Sequence, residues 1–341
     1  MAVPDLSIII PVYNRGELIR YTLESVLRAS VGLSVETIVI DDGSATPVAA
    51  DLARLGYAVT QVYRQENRGL LFARLAGLAR ATGRYTVFLD SDDLVGPEKF
   101  RAQISALLTH HADVSYTDTA QTVVDGDYDR LVIVPDAPAA DTASGPELFI
   151  SIQPPPHSPI FRTDYLRDLV THAFMPPSPL YNSVAEIWFY HIAAPFPARV
   201  VKVPGPHTIV GRHAGTRLTG QWEKLGVASL AVMEAFARHC PVHPDTQVAR
   251  RLVGEKAFGS WRRLPSGFSP EFSARLLTLW RRLPNGELVA LGGGAFQSLA
   301  RLVGPALAGR LFRLRQARPY ASVRTLGDEE FVRLLRALPA P

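Results

Sequence analysis

Apolar residues along the first 120 positions follow two alternating periods. Leu6–Val12 (LSIIIPV) is a short run rich in β-branched residues, the mark of a buried strand. Behind it Leu18, Ile19, Thr22, Leu23, Val26 and Leu27 recur at helical spacing. Glu36–Asp41 reads as a second strand, Val48–Leu55 as a helix and Ala58–Tyr63 as a weaker third strand. Leu70–Ala81 is a helix that Gly83 ends. Tyr85–Asp90 is the fourth strand, a helix begins near Pro97, and Val114–Thr117 is a further strand. This alternation predicts an α/β fold, a mainly parallel Rossmann-like sheet with helices on both faces. Ligands bind such sheets beyond the carboxyl ends of the strands, so chemistry is expected just after Val12, Ile40 and Leu89.

The pattern then loosens. Asp125-Gly126-Asp127 reads as a hairpin turn, residues 135–144 as a Pro/Ala/Asp linker, and residues 153–159 (QPPPHSP) as a stiff loop closed to helix. Val184–Ala194 has helical spacing and Arg199–Val203 is a short strand. From Gln221 onward the patterns are helical, clearest over Gln221–Cys240 and Val248–Leu264, with breaks at Pro265, Pro270, Pro284 and Gly292–Gly294.

Composition narrows the class. With 341 residues, 47% hydrophobic and 20% charged, the chain suits two domains, or one α/β domain with an appendage. Its 36 basic residues exceed its 32 acidic ones by too little to indicate nucleic acid, and no such partner is expected. The one cysteine, Cys240, excludes an internal disulfide and a cysteine-based zinc or iron–sulfur site, and fits a reducing compartment. The N-terminus has no basic n-region, and no run of about 18 apolar residues occurs. The expectation is a soluble cytoplasmic protein, at most peripheral at the inner face of the membrane. Phe296–Arg318, which mixes Leu, Val and Phe with several arginines, has the character of a helix that rests on anionic lipid. Packing on the chain's own domain, or in a homodimer, gives the same pattern.

Functional groups gather at the predicted strand ends. Pro11-Val12-Tyr13-Asn14-Arg15 follows the first, Asp41-Asp42-Gly43-Ser44 the second, and Asp90-Ser91-Asp92-Asp93 the fourth. Three carboxylates on one short loop repel each other unless a hard cation such as Mg²⁺ or Mn²⁺ takes their oxygens, commonly with a substrate diphosphate. The plainer reading has Asp93 capping the next helix and the others solvated. The second loop alone is also ordinary turn chemistry. Tyr13 suits stacking on a nucleobase, and Asn67-Arg68-Gly69 with Arg74 suits phosphate at a helix start. No Gly-x-Gly-x-x-Gly follows the first strand, and the chain has neither a P-loop nor a Gly-x-Ser-x-Gly elbow. Dinucleotide oxidoreductases, P-loop NTPases and elbow hydrolases are thereby disfavoured.

Taken together, SIIIPVYNR, IVIDDGS and ENRGLLFARLAGLARATGRYTVFLDSDDLVGPEKF resemble, in order and spacing, the N-terminal half of family 2 glycosyltransferases of the GT-A fold. The resemblance is strong over residues 5–110 and continues weakly to 215. It implies a glycosyltransferase domain over 1–215, with a nucleotide-sugar half (1–120) and an acceptor half (121–215), followed by a helical region over 216–341. It further implies transfer of a sugar, with inversion, from a nucleotide-diphosphate donor to a glycan or lipid-linked hydroxyl acceptor, aided by Mn²⁺ or Mg²⁺, in synthesis of cell-surface glycans or other glycoconjugates.

Carried over by position, Asp42 contacts the base, and Tyr13 and Pro11 belong to the same pocket. Arg74 lies beside the nucleotide, and Asp90, with Ser91, lies nearer the ribose or donor sugar. Asp92, with Asp93, holds the metal, while His213 in Gly211-Arg212-His213 ligates it or touches a phosphate. The acceptor half departs from the pattern. Where the family has Glu-Asp and an aromatic, this chain has Glu186-Ile187-Trp188. Glu186 is then the carboxylate for the catalytic base, with Trp188 able to face the acceptor and His157 lining its cleft. Two other readings stand beside this one. A sugar-1-phosphate nucleotidyltransferase would need a Gly-rich basic loop after the first strand, and none is there. A non-catalytic protein that binds nucleotide-sugar or glycan is favoured by Ile187 in place of Asp.

Overall fold

A computed structural model describes residues 3–56, 61–213, 220–316 and 318–340. Residues 1–148, 152–173 and 197–215 form one compact unit, and residues 149–151, 174–196 and 216–341 form another. The helix that carries Glu186 therefore belongs with the C-terminal helices.

The first unit is built around β1 (Leu6–Val12), every residue of which is buried. Ile8, Ile10 and Val12 pack with Ile19, Leu23 and Val26 of α1 (Ile19–Ala29) and with Phe100, Ile104 and Leu107 of α4 (Lys99–Thr109). Ile9, on the opposite face, lies so close to Gly77 of α3 (Leu70–Leu78) that a Cβ there would fall 2.3 Å from its Cγ2. Helices on both faces explain why this strand is a continuous apolar run. β1 pairs in parallel with β2 (Val35–Asp41) and β4 (Tyr85–Phe88), and β2 with β3 (Gln61–Arg64). α2 (Val48–Arg54) follows β2. Residues 58–60 of the expected third strand lie outside the described residues.

Beyond β4 the sheet becomes mixed. Its order is β3-β2-β1-β4-β8-β6-β9-β5, with β7 beside β6. β5 is Leu94–Val95, β6 Val114–Val123, β7 Val134–Pro135, β8 Ile160–Arg162 and β9 Val200–Arg212. β8 is antiparallel to both β4 and β6, and α5 (Thr163–Thr171) continues from it. Three residues are too few to show a periodicity, so neither β8 nor β5 is visible in the sequence pattern. β6 and β9 run parallel and extend well past Thr117 and Val203, where the sequence reading stops them. The cause is Pro204-Gly205-Pro206. The ladder steps from Thr117↔Val203 to Thr119↔Thr208, and the extra residues bulge out. Asp118 closes the gap by accepting from Gly205 N and pairing with Lys202.

The second unit is helical: α6 (Ala185–Ala193), α7 (Trp222–His239), α8 (Gln247–Arg263), α9 (Pro270–Arg282), α10 (Leu288–Leu291), α11 (Gly294–Val303), α12 (Pro305–Gln316) and α13 (Asp328–Arg336). Pro270 and Pro305 open α9 and α12, where a missing N–H costs nothing. Ser269 caps α9 by accepting from Phe272 N. Phe258 packs against Trp261, Trp280 and Phe296, and Glu234 forms a bidentate, buried pair with Arg275. No described helix is long and apolar enough to cross a membrane.

Candidate functional site

The carboxyl ends of β1, β2 and β4 lie side by side, and the loops after β1 and β2 are bound to each other. Pro11 lies beyond the last β1–β4 pair, Ile9↔Phe88, in the stretch of β1 that pairs only with β2. Tyr13 follows it and is half exposed. Asn14 adopts φ 52°, and its N–H donates to Ser44 Oγ while its Oδ1 accepts from Ala45 N. Gly43 sits at φ 78°, and a Cβ there would lie 2.8 Å from Asn67 N, so the second loop also touches the third.

The aspartates of the second loop are anchored by protein donors. Asp41 accepts from Ser44 N, Val48 N and Arg64 Nη1. Asp42 is 4% exposed and accepts from Gln65 Nε2 at 2.7 Å, Arg68 N at 3.0 Å and Gly69 N at 2.8 Å. It thereby ties the loop that leads into α3 to the end of β2.

The loop after β4 is arranged differently. Asp93 N donates to Asp90 O, which closes a tight turn. Asp90 accepts from Arg74 Nη2 at 2.6 Å, and Arg74 is fully buried on α3. Ser91 is buried in the turn. Asp92 Oδ2 lies 2.9 Å from His213 Nε2. Asp93 turns inward: its Oδ1 accepts from Gly211 N at 2.9 Å and its Oδ2 lies 3.2 Å from His157 Nδ1. A Cβ on Gly211 would fall 1.9 Å from the Asp92 carbonyl, so only glycine allows β9 to come this close. Gly211 thus brings His213, two residues on, to the acidic loop. The sequence marks Gly211 only as the residue before an Arg-His pair.

His157 is fully buried rather than lining a cleft. Its Nε2 contacts Ile209 O, and burial, with Lys99 nearby, pushes its pKa down to about 3. Lys99 is buried as well and donates to Gln103, Ser158 O and Thr208, its pKa held well below the usual lysine range by desolvation. Beside His213 opens a cavity of ≈610 Å³ lined by Arg15, Leu18, Val124, Asp125 and Arg212. Both arginines stand in the sequence motifs, Arg15 after β1 and Arg212 beside His213, but the motifs give neither a role of its own.

Among the described residues no three His, Cys, Asp or Glu side chains converge as a metal cluster. Asp92 and His213 do offer a carboxylate oxygen and an imidazole nitrogen within 2.9 Å. That donor pair fits Mn²⁺ or Mg²⁺ when a diphosphate and water supply the remaining oxygens. Asp93, committed to Gly211 and His157, fits the loop's scaffold better than a ligand shell.

In the second unit, Glu186 lies in the first turn of α6 and is half-buried. Trp188 does not face outward: it is fully buried, and its indole donates to Met175 O. Ile187 is half-buried, and its carbonyl contacts Nδ1 of the buried His191.

An open, twisted arrangement of parallel strands with acidic loops at their carboxyl ends is the GT-A type of fold. Residues 7–169, just under half of the chain, match the family model described as Glycosyl transferase family 2. It is similar to the succinoglycan biosynthesis protein ExoO of Rhizobium meliloti (strain 1021), 34% identical over 125 residues that make up 36% of each chain. It is also similar to the putative teichuronic acid biosynthesis glycosyltransferase TuaG of Bacillus subtilis (strain 168), 32% identical over 41% of this chain and 57% of that protein. The matched stretch thus spans about a third to just over half of such relatives. Among solved structures, S. aureus TarS 1-349 in complex with UDP-GlcNAc superposes with a TM-score of 0.63 at 17% identity, over 95% of this chain and 93% of that one.

Proposed function

We propose that the chain is a metal-dependent, inverting glycosyltransferase that moves a sugar from a nucleoside-diphosphate donor to a hydroxyl acceptor in the synthesis of a cell-surface glycan. The observation that carries this reading is the acidic turn after β4, where Asp90 meets Arg74 and Asp92 meets His213. The names of ExoO and TuaG, and the UDP-GlcNAc bound to TarS, support the glycan and the donor class.

In this reading Asp42 holds residues 65–69 as a wall for the base, and Tyr13 stacks on it. Arg74 orients Asp90 and Ser91 toward the ribose or sugar. Asp92 and His213 are the residues that would hold the cation. When bound, that cation supplies positive charge to the leaving diphosphate. Glu186 is the proposed general base; such a group is worth roughly 10²–10⁴-fold in rate.

Thermal melting tests the donor site. UDP raises the melting temperature only with Mn²⁺ or Mg²⁺ present, and Asp92→Asn abolishes that increment while the protein stays folded. Equal shifts with and without chelator would remove the metal from the scheme. Ile187, at the position where the family has Asp, favours a second reading, a non-catalytic nucleotide-sugar binder. A donor and acceptor panel separates the two. Under the first reading wild type transfers, and Glu186→Gln loses at least about 100-fold with donor affinity unchanged. Donor binding without transfer to any acceptor supports the second.

A further inference from the structure

Residues 288–327 contain six arginines and no Asp, Glu or Lys. They fold as α10, α11, α12 and the segment beyond. One face of α12 is well packed. Ala308 is fully buried, Gly309 is pressed so closely on Trp261 that a Cβ would lie 2.4 Å from its ring, and Phe312 meets Phe296. The other face is also apolar. Leu307, Leu311 and Leu314 recur at i, i+4 and i+7 and are 47%, 45% and 82% exposed, and Leu302 at the end of α11 is 83% exposed. Arg310 shares that face of α12, with Arg315 at its edge, and the exposed Arg301 adjoins Leu302 on α11. A helix packed on a domain normally turns a single apolar stripe inward. This one carries a second stripe outward.

We propose that the exposed leucine–arginine face of α11 and α12 docks on an anionic membrane surface. The leucines suit burial at the headgroup–acyl boundary. The arginines lay their stems along it and keep their guanidinium groups among lipid phosphates. Charge decides against a second copy of the chain. A two-fold contact through this face would set the same arginines against each other with no carboxylate in the segment to offset them. Loose apolar association without charge would not explain the bias in composition.

The test is co-sedimentation of the full chain with phosphatidylcholine vesicles, with and without phosphatidylglycerol, at low and high salt. Binding is expected only where phosphatidylglycerol is present and is expected to weaken with salt. Leu311→Gln with Leu314→Gln should cut the bound fraction at least about tenfold, and Arg310→Gln with Arg315→Gln should remove most of the salt dependence. These side chains are exposed, so melting curves should match wild type; Leu302→Gln on α11 is the second variant if the double change disturbs folding. Binding equally to neutral vesicles, no binding to either kind, or leucine variants that bind like wild type would each overturn the proposal. Light scattering supplies a further check. A wild-type dimer that the leucine variants convert to monomer would assign the face to a second copy. The readout is independent of nucleotide binding, so its outcome leaves the donor-site reading untouched.

Discussion

Two acidic loops flank the end of β1, and they hold their charge in opposite ways. After β2, Asp41 and Asp42 are almost completely buried, and most of their partners are backbone amides. After β4, the Asp90 and Asp92 side chains keep 27% and 22% of their surface in contact with solvent, and they face Arg74 and His213. Backbone amides cannot leave, so a carboxylate bound to them is part of the frame. A side-chain counterion can be shared with a ligand or displaced by one. Two sequence motifs that look alike therefore differ in environment: one is bound into the frame, and the other is the one we propose works at the donor site. Asp93 belongs with the first kind although it sits in the second loop.

The largest expected effect separates the two loops outright. Asp92→Asn removes the charge proposed to act, through a cation, on the donor diphosphate, and transfer should fall about 1,000-fold. Its stability, read by urea unfolding, should stay within about 1 kcal/mol of wild type because the side chain is partly solvated. A large loss of stability would place Asp92 with the frame and break the distinction. Gly211→Ala comes next. The added methyl collides with the Asp92 carbonyl, so the acidic loop and His213 must part. Overpacking of this kind costs about 1–3 kcal/mol, and a displacement of about 1 Å at the site should cost transfer roughly 100-fold. Unchanged donor kinetics in this variant would show that the approach of β9 is not needed. Asp42→Ala, by contrast, should act chiefly on stability. It strands the amides of Arg68 and Gly69, at a cost of about 2–4 kcal/mol. Its effect on transfer should track the loss of folded protein, which a melting curve measured alongside the assay will show.

The strands that carry these loops were legible because β1, β2 and β4 are buried runs whose apolar pattern is local. The loops' chemistry was legible only by type. That Asp42 is occupied depends on residues 23–27 positions away, and the Asp92–His213 pair spans 121 positions, so no local spacing reveals either. Trp188 and His157 show the limit from the other side. Each stands in a motif-rich segment and carries attractive chemistry, yet each is sealed in a core. A single aromatic or histidine looks the same in sequence whether it faces a ligand or a packed neighbour. The long reach of β9 was hidden by Pro204 and Pro206, which break the strand pattern without ending the strand.

The smallest expected effect sharpens the comparison from the far end of the same strand. Glu36 near the start of β2 is a framework carboxylate like Asp42, but it lies away from the crevice. It accepts from Ser7 Oγ at 2.5 Å, Thr82 N at 2.5 Å, Thr82 Oγ1 at 3.0 Å and Gly83 N at 3.0 Å. Burial alone would raise its pKa; the donors outweigh burial and hold it below the usual glutamate value of 4.5. The sign of the pH effect follows. With the folded pKa depressed, the unfolded chain takes up the proton first on acidification. The stabilisation is present in full above the unfolded value and is lost as pH falls through the folded one. Glu36→Gln should therefore cost about 1–2 kcal/mol near neutral pH, and the gap from wild type should shrink as the pH drops below the usual glutamate value of 4.5. Urea unfolding of both proteins across that range measures it. A gap that stays constant would mean the donors hold the side chain by shape and not by charge.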